Sequence, residues 1–255
     1  MNYFLNLVMN ENVKMYKRPR GVALLSLIIL MNFLAAIVMK YIFTDTNFTF
    51  WDHFNISSYL IFILIFVAII VSGDIVSSEF SQGTIKLLLL RPASRMKILL
   101  SKFIAVMLFV ILIALIHIAS TAVFGTVFFY GTVFSFEASF IGNLFLKYVF
   151  GFVEVAIIAT FAITLSVVTR SSVFSISFPI FIVLSGRLLL EVLSHYNIAQ
   201  GKYFLLANTN LFQYVMGRTL FEDMTLSFSI VNLSVHIILF FIISSLFIVK
   251  RDINV

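Results

Sequence analysis

The sequence predicts an all-α integral membrane protein with six transmembrane helices, and three observations predict it. The chain has 255 residues, of which 62% are hydrophobic and only 11% charged, with a mean hydropathy of +1.12. A soluble domain is nearer half apolar and one quarter charged. Apolar runs recur at the length of about 20 residues that a helix needs to cross a bilayer. Charged residues gather at the ends of those runs, as at membrane boundaries. A formal charge of +6 and a pI near 9.6 would also suit a nucleic-acid partner, but the placement of the charges argues against one. The chain has no cysteine, so disulfides and thiolate metal sites are excluded.

Taken in order, the whole chain, 1–255, reads as a single transmembrane domain that begins with an interfacial helix over residues 1–20. Asn2, Asn6, Asn10, Lys14 and Lys17 fall on one arc of that helix, with Phe4, Val8 and Met15 roughly opposite. Glu11 and Asn12 interrupt the apolar side. The basic cluster Lys14, Lys17, Arg18 and Arg20 suits lipid headgroups. A basic tail without structure is the plain alternative.

The first span is expected over 21–43. Residues 44–56 follow as an outer segment with Asp45, Trp51, Asp52 and His53 but no lysine or arginine, Trp51 being placed as an interfacial anchor. The second span covers 57–77. The third apolar run extends from Ile98 to Phe136, too long for one straight crossing, and splitting it would carry Arg170 and the Lys250-Arg251 pair to the outside. The positive-inside bias favours one tilted helix over about 98–130, frayed near Gly125–Gly131. The fourth span covers 141–168 and the fifth 173–194, with a kink expected at Pro179. Residues 195–226 form the longest outer segment, and the sixth span covers 227–249. In this arrangement Lys14, Lys17, Arg18, Arg20, Lys86, Arg91, Arg95, Lys97, Lys102, Arg170, Lys250 and Arg251 lie inside. They are twelve of the 17 basic residues, so both termini are read as cytoplasmic.

The loop at 79–97 is the only long hydrophilic insertion with dense positive charge inside the otherwise apolar sequence. Gly83 breaks the helix arriving from span two, and Thr84 is placed to cap a short new one. Pro92 ends that helix near Arg91, and Ser94 is placed to cap the following span. The short helix would hold Ile85 and four leucines, which cannot all face lipid, so one side is expected to rest against protein. The plain reading is a connector whose basic residues sit at the headgroups.

The pattern E-x-x-x-G-T-x-x-x-L-x-x-R-P-x-S-R-x-x-x-x-x-x-K adds a sharper reading. It resembles the cytoplasmic loop of ABC type-2 transporter permeases, matching at Glu79, Gly83, Thr84, Leu88, Pro92, Ser94, Arg95 and Lys102. Together with the six spans, the resemblance covers essentially the whole chain. It implies an N-terminal elbow helix and a cytoplasmic coupling helix that docks into a groove of a separate ATPase subunit. Glu79, Gly83, Thr84, Leu88, Pro92, Ser94 and Arg95 would be the ATPase-coupling residues. It further implies a permease working as a homo- or heterodimer in a bacterial cell membrane, with ATP and magnesium held by the partner and no cofactor in this chain. In size and character the chain is most similar to exporters of phenol-soluble modulins and to bacitracin-resistance permeases. Its short outer loops suit a hydrophobic or amphipathic substrate.

Other chemistry is missing from the sequence. No G-x-x-x-x-G-K-[ST] phosphate loop, H-E-x-x-H or G-x-S-x-G occurs, and four scattered histidines offer no metal spacing, so the chain is not expected to be an enzyme. Ionisable and amide residues inside spans are the remaining candidates. Glu154, Asp74 and Asn32 are placed to line a translocation path or to join helices. Lys147 is suited to snorkelling, and Arg187 and Glu191 to pairing at i, i+4. His117 and His236 are expected to bond between helices. Two other functions fit the composition: an ion-coupled secondary transporter using Glu154 and Asp74, and a membrane immunity or scaffold protein that does not transport.

Overall fold

The computed structural model describes residues 2–43, 47–84, 94–133 and 138–250, and every regular element among them is helical. The helices are α1 (Asn2–Lys17), α2 (Pro19–Ile37), α3 (Phe50–Ser57), α4 (Ile61–Ser81), α5 (Arg95–Phe129), α6 (Ala138–Thr169), α7 (Ser172–His195), α8 (Leu205–Thr209) and α9 (Leu226–Lys250). A π-helical turn, Val38–Ile42, extends α2, and a 3-10 turn, Ser58–Leu60, joins α3 to α4. Six of these stretches are long and apolar enough to cross a membrane. The chain is an all-α membrane protein.

Local chemistry sets most of the boundaries. Pro19 opens α2 at the first helical position, where its fixed φ fits and its missing N–H costs nothing. Ser94 caps α5, its Oγ accepting from the Lys97 N–H at 3.4 Å. From there α5 runs unbroken to Phe129, so the long third run is one helix rather than two. α7 likewise continues through Pro179. Gly83 follows α4 with φ +67°, a conformation that only glycine adopts without strain. Thr84 donates its hydroxyl back to the Glu79 carbonyl at 3.4 Å. The coupling helix expected over 84–91 falls almost wholly outside the described residues, as do Leu88 and Pro92.

The outer segment expected over 44–56 is helical from Phe50 onward. Thr49 and Asp52 form a reciprocal capping box: the Thr49 hydroxyl accepts from the Asp52 N–H at 3.1 Å, and Asp52 accepts from the Thr49 N–H at 2.9 Å. The acid that marked a loop in the sequence therefore starts a helix, which leads into the second span. Residues 195–226 are folded as well. Asn208 donates to the Lys202 and Phe204 carbonyls at 2.8 and 2.9 Å, and Gln213 donates to the Ala207 carbonyl at 3.1 Å while accepting from the Leu220 N–H. Its mixed polarity serves internal backbone groups.

Burial divides the spans into an inner and an outer set. In the apolar windows of spans two, three and four 61, 61 and 56% of residues are buried, against 22, 17 and 17% in spans one, five and six. The core therefore lies among α4, α5 and α6, where Leu64, Ile69, Leu99, Phe109, Ile113, Ile158 and Ile163 interlock. α2 buries one stripe, Gly21, Ile28, Asn32 and Ala36, at the spacing of a single helical face. α7 crosses α4 at Gly73, where a side chain would collide with the Ser175 backbone. The Ser175 hydroxyl instead donates to the Gly73 carbonyl at 2.7 Å. Ser77 and Ser172 hydroxyls meet at 2.8 Å, and Ser166 of α6 accepts from the Ser77 N–H at 2.9 Å. One end of α4, α6 and α7 is thus held together by hydroxyl bonds.

Candidate functional site

The same end of the bundle carries a buried charge cluster built from three helices. Lys102, in the second turn of α5, is 1% exposed. Its ammonium has three N–H groups and three acceptors: Glu11 Oε2 at 2.7 Å, Glu79 Oε1 at 2.9 Å and the Ile75 carbonyl at 3.1 Å. Lys14 adds a second cation, donating to Glu11 Oε1 at 2.7 Å and to Glu79 Oε1 at 3.0 Å. Two carboxylates and two ammonium groups thus neutralise one another, the condition under which charges tolerate burial. α1 is therefore pinned to the last turn of α4 and the start of α5.

Electrostatics follows from this packing. Burial pushes the Glu11 carboxyl upward, yet Lys102 and then Lys14 outweigh it and hold the group below the usual carboxylate value of 4.5. Burial likewise works against the Lys14 ammonium, but Glu11 and Glu79 raise it above the usual 10.5. Glu79 Oε2 is buried without a hydrogen-bond partner. Beside it lies a cavity of about 40 Å³ lined by Glu11, Arg18, Asp74, Ser78 and others, room enough for a water molecule.

A second lock sits next to the first. Asp74 Oδ2 accepts from Arg18 at 3.3 Å and from Arg20 at 3.1 Å, and its Oδ1 accepts from the Ser172 hydroxyl at 2.9 Å. This carboxylate ties the α1–α2 turn to α4 and α7. Arg170, at φ +56° in the α6–α7 turn, stacks over the Phe80 ring at 4.4 Å. Arg95 donates to the Ile248 carbonyl of α9 at 3.3 Å, while Glu79 is bound to Lys14 and Lys102.

The other polar residues sit deeper or toward the opposite end. Asn32 of α2 donates to the Ile28 carbonyl and meets His117 Nδ1 of α5 at 3.0 Å, while its oxygen accepts from the Thr121 hydroxyl at 2.7 Å. All three side chains are fully buried, so Asn32 joins two helices. His236 does otherwise: its Nδ1 meets the Asn232 carbonyl of its own helix at 2.9 Å. Glu154 accepts from Thr209 of α8 at 3.1 Å and lies within electrostatic range of Arg187. Lys147 donates to Asn55 Oδ1 at 2.8 Å and lies 4.0 Å from the Tyr59 ring centroid. Among the described residues, no group of three or more histidines and carboxylates converges as a metal site.

Sequence reading brought Glu79 and Lys102 into one motif but missed Glu11, which it took as a flaw in an amphipathic face. The available signal was a lone acid three residues before Lys14, with Lys102 deep in an apolar helix and in need of a partner.

The pattern of one family spans residues 20–254, nearly the whole chain, and its description is "Protein of unknown function (DUF2705)". The chain belongs to this family. The DUF2705 match takes in Glu79 and Lys102, whereas α1, with Glu11 and Lys14, precedes it. Among similar proteins, "Uncharacterized protein YhcI" of Bacillus subtilis (strain 168) is 34% identical over 223 residues, covering 82% of this chain and 71% of that protein. "Uncharacterized membrane protein YdbK" of the same organism is 28% identical over 248 residues, covering 95% of this chain and all of that protein.

Proposed function

We propose that this DUF2705 chain is the membrane subunit of an ATP-driven ABC exporter, dimeric, with ATP hydrolysed on a separate ATPase chain. The observation that carries the reading is the Glu79–Lys102 ion pair. The first and last charged residues of the permease-like motif are 2.9 Å apart, so the segment between them emerges from a fixed base. A loop that receives force from an ATPase needs such a base, since a loose connector would absorb the displacement. The hydroxyl ties of α4 to α7 add to this: a push on 79–97 would tilt spans two and five as a unit and open a path between two permeases. Both termini and the 79–97 loop are cytoplasmic in this reading, as the twelve inward basic residues suggest. A hydrophobic or amphipathic substrate, such as a peptide or toxin, fits short outer loops and lateral entry from the membrane. The chain itself performs no catalysis and binds no cofactor.

The ion-coupled alternative gains nothing from the geometry, because Asp74 is engaged by two arginines and Glu154 by Thr209. The test is Leu88→Glu. A helix of little more than two turns is unstable alone, and each leucine it buries in a partner groove contributes roughly 1.5–3 kcal/mol. The variant should still insert its six spans but lose co-purification of a phosphate-loop ATPase from cross-linked membranes. Normal recovery of that ATPase would reduce the loop to a lipid-facing connector and sink the proposal.

A further inference from the structure

A shallow groove of about 560 Å³ runs along α7 from Arg20 and Ser172 at its head to Leu184. Its floor is apolar and open to the surroundings: Val173 is 79% exposed, Phe181 61% and Leu184 54%. Its head is positively charged. Arg18 and Arg20 both bond to the single carboxylate Asp74, so one unit of positive charge is left over, and the two guanidinium side chains remain 41 and 55% exposed. An apolar channel with a cationic head matches one chemistry, a fatty acyl chain carrying an anionic headgroup. The planar guanidinium fork is suited to a phosphate, which it binds through paired N–H groups.

We propose that this groove is a selective site for an anionic phospholipid, with the phosphate held by Arg20 at its head and one acyl chain laid along Val173, Ile176, Phe181 and Leu184. The bound lipid would complete the charge balance around Asp74 and so steady the α1–α2 turn against α7. This site is independent of the transport reading and of which way the chain faces.

Purified full-length protein, titrated with phosphatidylglycerol or phosphatidylcholine in mixed micelles and read by native mass spectrometry, tests the idea. Retention of phosphatidylglycerol should exceed that of phosphatidylcholine by about fivefold or more, the factor expected for one basic residue at an anionic headgroup. Arg20→Gln should remove that preference, and Arg20→Lys should keep part of it, a control that separates lost charge from lost folding. Phe181→Ala leaves the charges in place and should weaken phosphatidylglycerol retention without restoring phosphatidylcholine. Equal retention of the two lipids by the unaltered protein would overturn the proposal. So would full displacement by millimolar inorganic phosphate, which would mark a bare anion site, or a lipid-free dimer whose contact covers α7.

Discussion

Lys102 Nζ lies 2.7 Å from Glu11 Oε2, joining two residues 91 positions apart in a pocket that excludes solvent from both. A helix that would otherwise lie on the surface is thereby made part of the bundle. Removing one partner from a buried pair leaves the other charge uncompensated, which costs about 3–5 kcal/mol. Lys102→Met, which strands Glu11 and Glu79 with Lys14 alone, should therefore lower the thermal midpoint in detergent more than Glu11→Gln, which keeps a hydrogen-bonding oxygen. Unchanged midpoints in both single variants would show that α1 is not anchored here.

The same cluster gives α1 a pH window. Glu11 is held below its ordinary 4.5, so its contribution is fully present above that value and disappears as pH falls through the lower folded value. Lys14 is raised above 10.5, so its contribution is present below that pH and disappears as pH rises through the higher folded value. α1 should stay docked across the neutral range and loosen in acid. A spin label at Met9→Cys, an exposed site in a cysteine-free chain, should gain mobility below about pH 4.5 and lose this response in Glu11→Gln. Mobility that stays constant as pH falls through the acid range below 4.5 would contradict the assignment.

Topology is open to direct measurement. Single cysteines at Phe48, before α3, and at Leu88, in the basic loop, should differ in intact cells. An impermeant maleimide should label position 48 and spare position 88 until the membrane is opened. The reverse pattern would invert the orientation and remove the loop from any cytoplasmic ATPase.

Glu154 separates a structural role from ion coupling. Its bond from Thr209 can be kept by an amide oxygen, so Glu154→Gln should cost no more than about 1.5 kcal/mol of stability and leave transport partly intact. Transport abolished at normal stability, together with dependence on an ion gradient, would favour the secondary-transport alternative.

Much of this architecture is legible one segment at a time. Hydropathy places six spans because a bilayer-crossing helix must be apolar over its whole length, whatever it packs against. Caps and breaks are equally local: Ser94 starts α5, Pro19 opens α2 and Gly83 stops α4 through bonds and dihedrals within a few residues. The motif that links Glu79 to Lys102 is also visible in one line of sequence. What sequence could not supply is the rotation of each helix about its axis, which depends on packing against partners 50 to 100 residues away. That rotation turns Glu11 inward to Lys102 rather than outward to water, and sets both arginines of the α1–α2 turn on Asp74. It also brings Glu154 of α6 to Thr209, 55 positions on in a segment whose composition reads as loop. Burial selected these contacts, because a charge withdrawn from solvent is costly unless it meets its complement elsewhere in the chain.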